Sequence, residues 1–280
     1  MIKSCVTISL VPSLAGGPWV YWDDLEVSIA KAKAAGFDGV ELFTASADAV
    51  NRDTLWSLVE EHGIKVAAVG TGAGRALHGL HLTSPDKEVR QQACDFIKAM
   101  IDFGGRFGAA AIIGSMGGCV EEGVERERAV AWLSEGVGAL AARAAARGVK
   151  LFFEPLNRYE TNLINRLGDG LELVKSVGRN NVFLLADLFH MNIEEESISG
   201  ALEEAGGYIG HVHFVDSNRR AAGMGHIDLG RVARALREIG FEGYASAEAL
   251  AWPDPDTAAA QTMAAFRRFL LAAYGPSSWE

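Results

Sequence analysis

Short apolar runs of four to seven residues recur along the chain, and longer stretches with helical spacing separate them. The runs predict strands at residues 4–9, 39–43, 64–69, 109–113, 149–153, 182–186, 209–215 and 244–247. The intervening stretches predict helices over 24–35, 53–62, 84–103, 124–147, 169–177, 193–205, 229–239 and 256–273. Local signals mark their ends. Asp23 or Asp24 can cap the first helix and Gly36 can end it, Gly63 and Gly240 stop two others, and Ser84-Pro85 reads as a cap followed by a first-turn proline. Strands alternating with helices imply an α/β fold with a parallel sheet. Eight such units in 280 residues fit one closed (β/α)8 barrel better than an open sheet. No linker, charge block or low-complexity stretch interrupts the pattern, so residues 1–280 read as one domain, with 275–280 as a loose tail.

The segment from Lys3 to Leu14, followed by Ala15-Gly16-Gly17, has the outline of a signal peptide. It is short and broken by Ser4, Thr7, Ser9 and Pro12, so it reads as a first strand and its loop. No run reaches membrane-spanning length. Cys5, Cys94 and Cys119 are odd in number and widely spaced, which suits free thiols in a cytoplasmic protein and gives no disulfide framework. A net charge of −10 argues against a nucleic-acid surface, which needs basic patches to neutralise phosphates.

The candidate chemistry lies where the strands stop. Leu151-Phe152-Phe153 runs straight into Glu154 and Pro155. Asp187 ends 182–186, Glu248 follows 244–247, and His211 and His213 close 209–213. A carboxylate ending a strand buried on both faces needs a partner charge or a metal. In a barrel these ends share one rim, where active sites form. Three carboxylates and one imidazole make an oxygen-rich donor set suited to one divalent cation, Mn²⁺ first and Mg²⁺ or Co²⁺ as alternatives. His211 and His213 are two apart and face the same way on a strand, so either can be the imidazole. His190, just beyond Asp187, is placed in the same pocket, and Arg219, more than Arg220, is a candidate anchor for substrate oxygens. Glu41, within the apolar run 39–43, could hold a substrate hydroxyl, orient a metal ligand or pair with a basic group at the rim. Gly70-Thr71-Gly72-Ala73-Gly74 lacks dinucleotide spacing and reads as a flexible lid or a close backbone approach. Trp19, Tyr21 and Trp22 either wall the pocket or pack beneath its loop.

Several motifs together resemble the xylose-isomerase-like TIM barrels and, within them, the ketose 3-epimerases. They are Glu154-Pro155-Leu156-Asn157-Arg158-Tyr159-Glu160, the run from Asp187 to Glu195, His211-Val212-His213 and Asn218-Arg219-Arg220. The separations of 33, 26 and 35 residues from Glu154 through Asp187 and His213 to Glu248 are similar to those of that group's metal ligands. Val69-Gly70-Thr71-Gly72, His81-Leu82-Thr83-Ser84-Pro85, Ile112-Ile113-Gly114 and Asn157 to Asn162 resemble the branch acting on 5-keto-L-gluconate.

The resemblance implies Glu154, Asp187, His213 and Glu248 as ligands, with Glu154 and Glu248 also as the acid/base pair. It implies Glu160, His190 and Arg219 as substrate contacts, a free sugar or sugar acid as substrate, and a dimer or tetramer, although no apolar stripe marks an interface. The implied reaction inverts the carbon next to a ketone through an enediolate, one carboxylate removing the proton and the other returning it on the opposite face. The same residues could serve an aldose–ketose isomerase, a hydroxypyruvate isomerase or an inosose-type dehydratase. An apurinic-site endonuclease fits less well, because Gly70-Thr71-Gly72 and Gly114-Ser115-Met116 stand where that branch places further histidines. A non-catalytic sugar-binding protein would have no need of both glutamates.

Overall fold

The structure, a computed structural model, describes residues 1–275. Of the tail expected over 275–280, only Gly275 falls among the described residues. The strands are β1 (Lys3–Ser9), β2 (Gly39–Phe43), β3 (Lys65–Gly70), β4 (Ala110–Ile113), β5 (Leu151–Phe153), β6 (Val182–Asp187), β7 (Ile209–His213) and β8 (Tyr244–Ala247). They pair in parallel in sequence order, and β8 returns to β1 with Ala247 opposite Val6, which closes the barrel.

The helices outside it are α1 (Leu25–Ala35), α2 (Arg52–His62), α3 (Ala73–His78), α4 (Lys87–Gly105), α5 (Arg126–Ala146), α6 (Leu167–Val177), α7 (Leu188–Glu194), α8 (Ile198–Ala205), α9 (Leu229–Glu238), α10 (Pro255–Ala265) and α11 (Ala272–Tyr274). A π-helical turn, Phe266–Leu271, joins the last two, where one continuous helix was expected.

Three departures from the sequence reading have local causes. Asp86, not Ser84, caps α4: its carboxylate accepts from Glu88 N at 2.8 Å, and Pro85 lies outside the helix. The Gly70–Gly74 stretch is not an open loop, because α3 begins at Ala73 directly behind Gly72. The helix expected over 193–205 is two helices. Asp187 caps the first and Ser197 caps the second through Gly200 N. Between them Glu195 turns away to accept from Leu167 N at 2.7 Å. Each cap satisfies an otherwise orphaned amide and is worth about 1 kcal/mol.

The core has two parts. A large outer layer packs the helices onto the sheet. Inside the barrel a smaller plug of Ala68, Ala110, Ile112, Phe152 and Leu185 fills the axis. Two register shifts shape what lies above it, one between Val40 and Glu41 and one between Leu184 and Leu185. The second leaves Gly210 as the extra residue of β7. A side chain there would meet the Phe152 ring at 2.6 Å and Phe183 Cβ at 2.7 Å. Glycine therefore lets Phe152 enter the plug, where it stacks on His211 with ring centroids 5.3 Å apart.

Candidate active site

Glu154 lies one residue past β5, Asp187 and His213 end β6 and β7, and Glu248 lies one residue past β8. One donor atom from each falls within 4.8 Å of all the others. Each is placed by its backbone. Glu154 N extends the sheet ladder to Ile113 O at 2.9 Å. Asp187 is strand end and helix cap at once: Oδ1 accepts from Phe189 N and His190 N at 2.8 and 3.1 Å, which turns Oδ2 toward the cavity group. Gly114 makes room for Glu154, since a Cβ there would stand 2.5 Å from Glu154 Oε2.

His213, 1% exposed, is the hub. Its Nδ1 lies 2.9 Å from Asp187 Oδ2 and 3.2 Å from both Glu154 Oε1 and Glu248 Oε2. Its Nε2 faces Glu41 Oε1 at 3.2 Å, while Glu41 Oε2 takes His211 Nε2 at 2.9 Å. His213 Nδ1 belongs to the carboxylate cluster, whereas His211 groups only with Glu41 and His213 and packs against Phe152. Of the three roles open for Glu41, a substrate contact, a partner that orients a metal ligand and a pair for a basic group, its two oxygens facing imidazoles fit the second, and its side chain also lines the cavity above.

Burial alone would raise the Glu41 carboxyl, but the His213 charge and the two imidazole hydrogen bonds hold it well below the usual range. Asp187 is likewise held low against burial, chiefly by the Arg219 charge. Burial pushes Glu154 up, with only partial compensation from His213. Burial opposes the charged form of His213, yet Glu248, Glu41 and Glu154 overcome it and raise that imidazole well above its ordinary value. His211 is pushed down by burial, against the pull of Glu41.

The donor set fits a divalent cation on three observations. Three carboxylate oxygens and one imidazole nitrogen converge. Glu154 Oε1 is buried without a hydrogen bond, because the nearby His213 Nδ1 is poorly aligned with it. Four carboxyl groups, Glu41 included, face one guanidinium and two imidazoles, so acidic groups outnumber basic ones. The arrangement of His213 between this cluster and Glu41 is the one in which a carboxylate fixes the tautomer of a metal-binding imidazole.

A cavity of about 500 Å³ opens above the cluster. Glu154, Glu160, His190, His213, Arg219 and Glu248 line its polar side, and Trp19, Phe43, Ile112, Leu156, Phe189 and Leu250 line the apolar side. Tyr21 is buried beneath the β1 loop, and Trp22 Nε1 donates to Trp19 O at 2.7 Å, so only Trp19 of that trio reaches the cavity. Arg219 bonds to Asp187 and Glu248 rather than standing free. Its backbone is left-handed, with φ 60°. Hydrogen bonds from Arg219 N to Asp216 O and from Leu250 N to Arg219 O hold that strained shape. Asp216, 1% exposed, gathers the loop by accepting from Ser217, Gly223 and Ile227 amides. Arg220 stacks on Trp252 at 3.8 Å, outside the cavity. Sequence reading did not single out Asp216, Gly114 or Asn157, whose parts depend on loop shape.

Comparison with known proteins places this geometry. The family model described as "Xylose isomerase-like TIM barrel" matches residues 29–269. D-psicose 3-epimerase of Ruminiclostridium cellulolyticum is 32% identical over 243 residues, covering 80% of each chain. L-ribulose 3-epimerase of Mesorhizobium japonicum is 33% identical over 227 residues, 78% of this chain and 73% of the relative. The solved D-psicose 3-epimerase of Clostridium cellulolyticum H10, described with D-tagatose, superposes with a TM-score of 0.78 at 26% identity, over 96% of this chain and 99% of that one.

Proposed function

We propose, from the premise that the chain belongs to the xylose isomerase-like TIM-barrel family, that it is a metal-dependent ketose 3-epimerase. The observation that carries this reading is the convergence of Glu154, Asp187, His213 Nδ1 and Glu248 under a cavity sized for a sugar. Those four residues would hold the ion, with Mn²⁺ first by donor type and Mg²⁺ or Co²⁺ as alternatives. A bound cation would supply Lewis-acid polarisation of the ketone.

The chain's own residues do the rest. Glu154 and Glu248 come from strands β5 and β8, with two strands between them, so they approach a substrate from different sides. One removes the proton from the carbon beside the ketone and the other delivers a proton to the opposite face. Such positioned groups contribute about 100- to 10,000-fold each. His190, Glu160 and Arg219 bind substrate oxygens, and the apolar wall keeps water from the enediolate.

The relatives' names supply the substrate type, a neutral psicose- or ribulose-like ketose. Charge favours this over a keto-sugar acid. Arg219 is the single Arg or Lys lining the cavity among the described residues, and two carboxylates already balance its charge, which leaves its spare N–H groups for a neutral substrate oxygen. The free thiols suit a reducing compartment.

The test is proton NMR of the Mn²⁺-loaded enzyme in D₂O with D-psicose, D-fructose, L-ribulose and 5-keto-L-gluconate. Deuterium entering at C3 of a neutral ketose, with inversion, is expected. Exchange at the terminal hydroxymethyl carbon would make the protein an aldose–ketose isomerase on the same site. Absence of exchange with every sugar would refute the epimerase reading.

A further inference from the structure

Asn157 lies three residues past Glu154, is 2% exposed, and belongs to neither the metal cluster nor the cavity wall. Its carboxamide is fully engaged. Nδ2 reaches His190 Nδ1 at 2.7 Å and Glu160 Oε1 at 3.1 Å, while Oδ1 accepts from Tyr159 N at 2.9 Å. Turning the amide over would set N–H against N–H at Tyr159 and a carbonyl against the Glu160 carboxylate. The neighbours therefore fix its orientation.

That orientation decides the state of His190. A ring nitrogen that meets the Asn157 Nδ2–H, with the Asn157 backbone N–H also directed at it from 3.4 Å, must be the acceptor. A neutral imidazole then carries its proton on Nε2. His190 lines the cavity, and among the described residues its Nε2 has no hydrogen-bond partner. Glu160 Oε1 stands 3.8 Å from His190 Nδ1 on the same wall and is half exposed. A donor on His190 and an acceptor on Glu160 thus face one cavity, where each can meet a sugar hydroxyl.

We propose that Asn157 is a positioning residue for the epimerisation. It locks His190 as the Nε2–H tautomer and holds Glu160 on the same cavity wall, so that His190 donates to a sugar hydroxyl and Glu160 accepts from one. The inference rests on the epimerase reading, but half of its test does not. Asparagine is required because one amide nitrogen must donate twice, to a ring nitrogen and to a carboxylate. An aspartate of the same shape donates to neither.

The first measurement is the histidine-ring ¹⁵N spectrum of the wild-type, metal-loaded protein without substrate, with His190→Ala identifying the signal. Nε2–H with a bare Nδ1 is expected, and a protonated Nδ1 overturns the proposal whatever the substrate. The second is a kinetic cycle on the sugar that the wild type turns over. Asn157→Asp is expected to lower kcat/KM by about 10- to 100-fold at unchanged metal content, with the His190 proton moved to Nδ1. In a background lacking both partners, His190→Ala with Glu160→Ala, the same change should cost less than about threefold, because both its routes of action are gone. Equal losses in both backgrounds, or an Asn157→Asp enzyme within twofold of wild type, would overturn it. Asn157→Ala, which removes the amide altogether, replaces the aspartate variant if that one does not fold, with the same kinetic outcomes. A wild type inactive on every sugar counts against the epimerase reading instead, and the ring spectrum still decides the tautomer.

Discussion

The position of Glu41 makes a quantitative prediction about metal affinity. Its two oxygens accept from two imidazoles, His211 at 2.9 Å and His213 at 3.2 Å. Glutamine in its place has the same shape but one acceptor and one donor. One of the two rings must then accept at Nε2 and carry its proton on Nδ1. If that ring is His213, the proton points into the carboxylate cluster and removes the lone pair an ion needs. Changes at partners that orient metal ligands typically cost 10- to 100-fold in affinity, about 1.4–2.7 kcal/mol. The assay is Mn²⁺ titration by calorimetry, paired with thermal unfolding with and without metal. A ligand at about 100 times its Kd stabilises by about 2.7 kcal/mol, and a tenfold weaker site retains about 1.4. At about 2–4 °C per kcal/mol for a large domain, the metal-induced rise in Tm should shrink by about 3–5 °C. An unaltered Kd and an unaltered metal-induced shift in Glu41→Gln would refute the reasoning. A lower metal-free Tm with normal Kd would make Glu41 a structural partner only.

Two further outcomes follow from other parts of the molecule. Gly114→Ala sets a methyl 2.5 Å from Glu154 Oε2, so that carboxyl must retreat by about 1 Å. Turnover should fall by about 100-fold with little change in Tm, and wild-type kcat would show that the placement of Glu154 is not critical. Asp102, on α4, accepts from Arg143 and Arg147 of the next helical segment, and those bonds lower its carboxyl from 3.8 to about 2. A folded value below the unfolded one stabilises above pH 3.8, and the gain is lost as pH falls toward 2. Asp102→Asn should therefore lose about 1 kcal/mol at pH 7, after allowance for solvent screening. Urea unfolding should show the gap closing between pH 4 and pH 2, and a constant gap would contradict the linkage.

The barrel was legible because its strands are short apolar runs at even spacing, and period and punctuation survive in sequence. Glu154, Asp187 and Glu248 were legible for the opposite reason, as charges where an apolar run ends. The choice of His213 over His211 came only from the family resemblance and not from spacing, since two residues facing one way on a strand differ only in height along the axis. That height is set by the plug below, where Phe152 fixes His211. Asp187 as a helix cap escaped notice too, and with it the break between α7 and α8, because a strand that turns directly into a helix leaves no loop to read. Asp216 and Asn157 act through loop geometry, where backbone amides one to eleven residues away become partners, and no periodicity encodes that.

The distribution of unsatisfied groups ties these observations together. Among the described residues, four buried side-chain atoms lack partners: Ser9 Oγ, Ser246 Oγ, Thr262 Oγ1 and Glu154 Oε1. Three are hydroxyls, whose rotation and weak polarity keep the cost small. The fourth is a carboxylate oxygen, for which an unmet hydrogen bond costs upward of about 1–3 kcal/mol. The same interior satisfies Glu41 with two imidazoles and Asp187 with two amides, an imidazole and a guanidinium. A fold able to supply those partners and yet leave Glu154 open holds that oxygen ready for something that arrives from the cavity. A cation answers the excess of acidic over basic groups in the cluster. The proton beside a ketone answers the other requirement, a base whose carboxyl is raised by burial and whose lone pair is free. Both demands fall on one residue, so Glu154→Gln should disturb metal binding and proton transfer together, whereas Asn157→Asp should leave the metal in place.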